Sequence, residues 1–552
     1  MRSTIARIVS PTVREWKPRW MCSATETGGR ARGVTLIANL ELEMRTGVWI
    51  VLAGALALAA HGQSLKDFEK RVTEFDLANG MHFIVIERHD APVVSFHSYV
   101  NAGSVDDPKG ETGIAHMFEH MAFKGTEAIG SKNYPAEKAA LEEVERVYDR
   151  LDQARRAEAD RHGAADPKKM EAIEAELERA IEKANSFVIP NEYDRIVESN
   201  GGVGMNAGTS TDSTNYFYSF PANRLELWFL LEAQRFQAPV FREFYKERDV
   251  VREERRMRVE SSPQGQLVEA LLSTAFAAHP YKVGSAGWAS DIENFRLKEA
   301  VKFFETYYVP GNITIGIAGD VDPKQARQLA EKYFGPIPKG PLPPLVRTVE
   351  PPQQGEKRAA VVSPTEPYMA IAYKRPDQNS KDDLVFDALA DILAGGRTGI
   401  LYRELVRDKR MALGAYAQSS FPGSKYPSLF LFFLVPNRGR SLEENEKACY
   451  EIIERLKTTK VDTETLERVK TKLRAELIRK LDNNAGLAAE LTAYHVAFGD
   501  WRRLFTELSE FNKITADDVQ RVARQYLVPE SRTVAFTVAG PNKDSAKESG
   551  NE

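Results

Sequence analysis

Two stretches of this chain repeat each other, and that repetition decides what it can fold into. Tyr307-Tyr308-Val309-Pro310 followed by Thr314 recurs as Tyr526-Leu527-Val528-Pro529 followed by Thr533. In both places an amphipathic helical pattern leads in, and an alternating strand pattern leads out to Ala318-Gly319 or Ala539-Gly540. Upstream, Thr112-Gly113-Ile114 matches Thr398-Gly399-Ile400, each opening a predicted helix. Self-similarity on this scale predicts two copies of one unit. Alternating stretches such as 82–86, 93–100 and 429–434 mix with long helical patterns in both. That mixture predicts α+β layers, with helices packed on sheets that contain antiparallel neighbours.

The copies differ in length. Thr112 to Tyr307 spans 195 residues and Thr398 to Tyr526 only 128, so the first copy carries an insertion. Between residues 137 and 151, Leu141, Val144, Tyr148 and Leu151 recur at helical spacing, and after a break at 163–167 so do Met170, Ile173, Leu177 and Ile181. Two charged helices with narrow apolar seams predict an antiparallel hairpin over about 137–186, a solvated arm or a partner-docking or gating element. Prolines and glycines crowd residues 335–344 and 351–355 and cannot fill an element interior, so 336–357 reads as an extended linker. The expected plan is a targeting region over 1–62, a first unit over 63–335, the linker, a second unit over 358–541 and a disordered tail over 542–552.

Residues 48–60 (VWIVLAGALALAA) form an apolar run of signal-peptide length behind Arg45, too short to span a bilayer. This predicts an exported chain, periplasmic or secreted, with a signal at about 44–62, Met44 as initiator and no stable membrane insertion after cleavage. The alternative is a mitochondrial transit peptide, since residues 1–40 carry Arg2, Arg7, Arg14, Arg19, Arg30 and Arg32 with few acids. Cys22 and Cys449 are the only cysteines, which excludes a disulfide framework and a cysteine metal site. A net charge of -4 gives no reason to expect nucleic acid as a partner.

The chemistry centres on His116-Met117-Phe118-Glu119-His120. Histidines at i and i+4 share a helical face, so both rings can reach one ion, and Glu119 sits beside them as a base. Ile114, Met117, Phe118 and Met121 form an apolar stripe that leaves the histidines and Glu119 off the buried side. The bland alternative is a pair of core histidines bonded to backbone carbonyls. A second acidic stretch, Glu247 to Glu254, places those two glutamates seven apart on one helical face, with Glu253 about 100° away. Its bland reading is a solvated acidic face.

The chain resembles the pitrilysin/insulinase peptidases, whose signature is H-x-x-E-H. The resemblance extends over residues 113–126, Gly201-Gly202, residues 206–210 and Thr214-Asn215-Tyr216, and covers roughly residues 70–540. Within the family the chain is similar to shorter members of the type of the mitochondrial processing peptidase β subunit. The resemblance implies two homologous α/β-sandwich units of that metallohydrolase fold, facing each other across a chamber. It also implies one zinc ion per chain on His116, His120 and Glu254, with Glu119 as general base and Glu247 supporting from behind the ligands. Asn206 and Ala207 would lie on an edge strand that binds peptide substrate by strand addition. In the second unit Tyr402 and Leu405 stand where His116 and Glu119 stand in the first, so that unit holds no metal. Arg407 would grip a substrate carbonyl; Tyr416, two positions beyond the family's usual spacing, either joins it or simply packs. His120 and Glu254 lie 134 residues apart, farther than the family's usual spacing, which the hairpin explains.

The function these readings imply is a zinc-dependent endopeptidase acting on peptides or unfolded segments. The rival is a non-catalytic partner or assembly subunit on the same fold. Two units make half of the four-unit chamber of the longest relatives, which predicts a homodimer or a heterodimer with a degenerate sister chain.

Overall fold

A computed structural model of the chain describes residues 68–160, 167–363 and 367–538. The expected signal over 44–62, the tail over 542–552 and the second Ala-Gly lie outside the described residues. Among the described residues no helix is long and apolar enough to cross a membrane.

The fold is the expected α+β pair of related units. The first sheet comprises β1 (Val72–Asp76), β2 (His82–Glu87), β3 (Val93–Val100), β4 (Val203–Thr209), β5 (Thr214–Pro221) and β6 (Ile313–Gly319), in the order β1-β2-β6-β3-β5-β4. The second comprises β7 (Lys357–Val362), β8 (Met369–Arg375), β9 (Ala412–Phe421), β10 (Ser428–Pro436) and β11 (Arg532–Val538), in the order β7-β11-β8-β10-β9. Without β1 the two orders coincide. The parallel pair β2–β6 matches the parallel pair β7–β11, and every other neighbour pair within both sheets is antiparallel. The repeated Tyr-x-Val-Pro feeds β6 in one sheet and β11 in the other.

Several strands alternate less than a half-buried sheet would, because both faces are covered. Phe83 and Val85 point into the first unit's main core, while Ile84 and Ile86 join a separate cluster on the opposite face. The helices that matter for the site are α1 (Ile114–Met121), α2 (Tyr134–Asp160), α3 (Pro167–Asn185), α4 (Leu225–Gln237), α5 (Phe244–Arg255), α6 (Pro263–Ala275), α7 (Asp383–Ala394) and α8 (Asn484–Phe498). The cover on the outer faces is exchanged. Leu487, Ala488 and Leu491 of α8 pack on Ile84, Ile86 and Ala318 of the first sheet, and Leu267, Leu271 and Leu272 of α6 pack on Ala370, Ala372 and Ala535 of the second. A Cβ at Gly316 of β6 would lie 2.6 Å from the Ala488 carbonyl oxygen, so glycine permits α8 to press against the sheet. Residues 338–354 carry no helix or strand and connect the units.

Helices α2 and α3 form the antiparallel hairpin, cross-linked by Arg150–Glu176 (2.5 Å) and Arg155–Glu174 (3.2 Å). Its base is less solvated than an arm would be. Ala140, Val144, Val147 and Tyr148 belong to the first unit's core, and Tyr148 stacks on Tyr245 of α5 with ring centroids 4.5 Å apart. Tyr245 in turn donates to Glu145 at 2.8 Å.

Candidate metal and active site

Helix α1 is a short helix of about two turns, buried along most of its length, whose packing fixes its orientation. Ile114, Met117, Phe118 and Met121 are fully buried, and Phe118 stacks on Phe304 with centroids 5.3 Å apart. Its start is not capped by Thr112. Gly113 occupies the left-handed region (φ 94°), and Asp107 accepts the amides of Gly113 (2.7 Å) and Ala115 (3.0 Å). The Thr112 hydroxyl donates instead to Asp291 at 2.7 Å and accepts the Trp288 amide at 2.8 Å. Asp107 lies six residues upstream of Gly113, beyond the spacing of a local cap, so periodicity could not announce it.

Helix α5 brings the acidic face to α1. Glu254 Oε2 lies 3.8 Å from His116 Nε2 and Glu254 Oε1 lies 3.6 Å from His120 Nε2. These three side chains each offer one ligand atom within 4.8 Å of the others. On the other edge of the same ring, Glu247 Oε2 stands 3.4 Å from His120 Nδ1. Glu253 turns away and pairs with Arg256 in solvent, which settles which of the adjacent glutamates faces the histidines. The next residue anchors the helix end: buried Arg255 donates to the Gly287 carbonyl and to Glu269 of α6 at 2.7 Å.

Lys124 is the residue whose role the sequence concealed. Its ammonium bonds Glu247 at 2.5 Å and Glu243 at 3.2 Å, tying the segment after α1 to the start of α5. Burial alone would raise the Glu247 carboxyl, but the His120 and Lys124 bonds overcome it and hold it down at about 2. Burial, aided by the neighbouring His120 and Arg258, pushes His116 down to about 3, so its imidazole is neutral and its lone pair available.

The donor set fits a divalent metal. Ligand atoms about 2.0–2.1 Å from a tetrahedral centre stand about 3.4 Å apart, close to the separations found here. The His116 and His120 rings are 89° apart, which lets their in-plane lone pairs converge. Glu254 Oε2 is buried without a hydrogen bond; the Arg258 guanidinium lies 3.0 Å away but supplies charge without hydrogen-bond geometry. An acceptor left in that state is one a cation would satisfy.

Glu119 and the two histidines line a cavity of about 790 Å³ with Asn206, Ala207, Glu254 and Arg258. Strand β4 is the sheet edge beside it, pairing only with β5 among the described residues, and its burial alternates between exposed and half-buried positions. Asn206 turns its side-chain oxygen onto the Ala207 amide at 2.9 Å. The structure does not bring Arg407 to this cavity. Its guanidinium is exposed and pairs with Asp408 (2.6 Å) in a widened helical turn over Tyr402–Asp408. Tyr416 lies on β9, the edge of the second sheet that corresponds to β4, 59% exposed and folded over Gly414 of its own strand. In the second unit Leu405 is buried in that unit's core and Tyr402 is half-buried.

The family description "Insulinase (Peptidase family M16)" matches residues 83–147 and 176–286, interrupted within the hairpin, and "Peptidase M16 inactive domain" matches residues 294–473. A zinc protease of Helicobacter pylori, PqqE, is 28% identical over 499 residues, covering 89% of this chain and 97% of that protein. A probable mitochondrial-processing peptidase subunit beta of Arabidopsis thaliana is 21% identical over 501 residues, covering 88% of this chain and 81% of that one. The crystal structure of a Helicobacter pylori protease superposes with a TM-score of 0.68 at 27% identity, covering 85% of this chain and 99% of that chain. The chain belongs to the pitrilysin/insulinase family of zinc proteases, peptidase family M16.

Proposed function

We propose that this chain is a zinc-dependent endopeptidase that cleaves extended peptide segments laid along β4. The observation that carries the reading is the convergence of His116, His120 and Glu254 around one point, with Glu119 lining the same cavity as the free edge of β4. The chemistry a zinc ion would supply there is Lewis acidity toward a peptide carbonyl and water. His116, His120 and Glu254 would hold the metal from two helices, with Glu247 keeping His120 in the tautomer that presents Nε2. Glu119 takes a proton from water on its attack and returns it to the leaving amine. The β4 edge aligns the substrate through main-chain hydrogen bonds, which accept many sequences.

Glu119→Gln is expected to bind zinc stoichiometrically and to lose peptide cleavage, whereas His116→Ala loses both. Cleavage that persists in Glu119→Gln sinks the assignment, and a wild-type chain without stoichiometric zinc supports the non-catalytic subunit instead. Comparing peptides cut by wild type and Glu119→Gln in a proteome digest identifies the substrate class. We further infer export, supported by the apolar run at 48–60, and a two-chain assembly that completes the chamber. A fully active monomer in light scattering refutes the assembly.

A further inference from the structure

A second set of metal-ligand side chains lies where the two units meet, away from the cavity. Glu74 of β1 and His82 of β2 share the sheet face that α8 covers, because Asp76 pairs with His82 and Glu74 with Ile84 across the ladder. His495 reaches them from α8 of the second unit. Glu74, His82 and His495 each offer one ligand atom, all within 4.8 Å of one another.

The hydrogen bonding repeats the arrangement at His120. Asp76 accepts from His82 Nδ1 at 2.8 Å, so in the neutral ring Nε2 carries the bare lone pair. That nitrogen is buried, has no hydrogen-bond partner among the described residues, and stands 3.8 Å from Glu74 Oε2. At the first site Glu247 faces His120 Nδ1 while Nε2 stands 3.6 Å from Glu254. In both, a lone pair and a carboxylate oxygen face each other across a gap that a cation would fill. His495 Nδ1 is likewise buried without a partner among the described residues. The surroundings are acidic: Arg502 divides its guanidinium among Glu69, Glu74 and Asp500.

One difference sets what binding requires. The His82 and His495 rings are stacked, centroids 3.8 Å apart and planes within 6°, so their in-plane lone pairs run side by side. One ring must turn about its Cβ–Cγ bond before both can bind one ion. The His82 and Glu74 side chains retain 14% and 27% exposure, which leaves water a way to a fourth position.

We propose that Glu74, His82 and His495 form a second site for a borderline divalent transition metal, with zinc the best match to two imidazoles and a carboxylate. The ion clamps α8 of the second unit to the β1–β2 edge of the first. The untagged full chain, stripped with chelator and equilibrated in zinc-buffered solution, is expected to carry two zinc ions by elemental analysis. His116→Ala/His120→Ala keeps one, and adding His495→Ala removes it. Zinc raises the Tm of the double variant and leaves that of the triple variant unchanged. Glu74→Gln in the double background keeps the side-chain shape and gives the same loss should His495→Ala fold poorly. One ion in wild type and none in His116→Ala/His120→Ala overturns the proposal, leaving a stacked pair with an ion pair. Zinc retained by the triple variant overturns it equally.

Discussion

Arg242 is the residue on which three parts of the site framework depend, and replacing it with methionine isolates that dependence. Its side chain is 1% exposed and its partner Glu137, at the base of α2, is fully buried. The guanidinium bonds Glu137 at 2.6 and 3.2 Å and the carbonyls of Lys124 (2.6 Å), Thr126 (2.9 Å) and Ile129 (2.9 Å). Those carbonyls belong to the segment that follows α1, and Arg242 itself leads into α5. Arg242→Met preserves the apolar stem but strands a buried carboxylate and three carbonyl groups. Breaking one side of a buried ion pair costs about 3–5 kcal/mol. In a unit of this size each kcal/mol moves Tm by roughly 2–4 °C, so a drop of about 6–20 °C is expected. Circular dichroism melting and urea titration followed by the fluorescence of buried Trp228 read it out. Glu137→Gln keeps one acceptor but sets an amide NH2 against an Arg242 donor and leaves the buried guanidinium unpaired, so a loss of similar size is expected. A variant within about 1 kcal/mol of wild type refutes the reasoning, because a buried unpaired carboxylate cannot be that cheap.

Other consequences are as specific. Burial holds His97 at about 4, and its ring bonds Thr492 of α8 at 2.8 Å. The unfolded chain protonates this residue first, so its contribution is intact above about pH 6.5 and falls by about 3 kcal/mol as pH drops to 4. The pH slope of stability should flatten over that window in His97→Gln. Gly287 has φ 64°, and a Cβ there would lie 2.1 Å from the Thr112 carbonyl oxygen; Gly287→Ala should cost about 1–3 kcal/mol by urea titration and displace the start of α1. Arg258 competes with a cation for Glu254, so Arg258→Ala should tighten zinc about threefold in a chelator competition, the small effect expected of a largely exposed pair.

That the chain holds two copies of one α+β unit was legible from the duplicated Tyr-x-Val-Pro and Thr-Gly-Ile segments, because strand-turn punctuation is local; the strand order was not, because pairing joins segments far apart in sequence. The location of the hairpin was legible for the same reason, through helical spacing in a charged stretch. Its burial against Tyr245 was not, since a narrow seam does not say what a second face meets. At the site, His116, Glu119 and His120 could be read from one helical turn. Choosing Glu254 over Glu253 rested on resemblance, and only the approach of α5 to α1 distinguishes them geometrically. Lys124 and Asp107 escaped notice because their partners are 119 and 6 residues away and neither sits at a recurring interval. Arg407 rested on resemblance alone, and its exposed guanidinium pairs with the neighbouring Asp408 in the widened turn. The second histidine cluster joins residues 413 positions apart and leaves no trace in any window of sequence.

The exchanged helices have a consequence for how this molecule could have arisen and how it can be taken apart. With α6 and α8 lent across the boundary, either half made alone would expose an oily sheet that only its sibling can cover. Severing the proline-rich strap would therefore leave two fragments clasped together, whereas synthesising one without the other invites aggregation. A single unit folded alone would need a second copy of itself to cover the same faces.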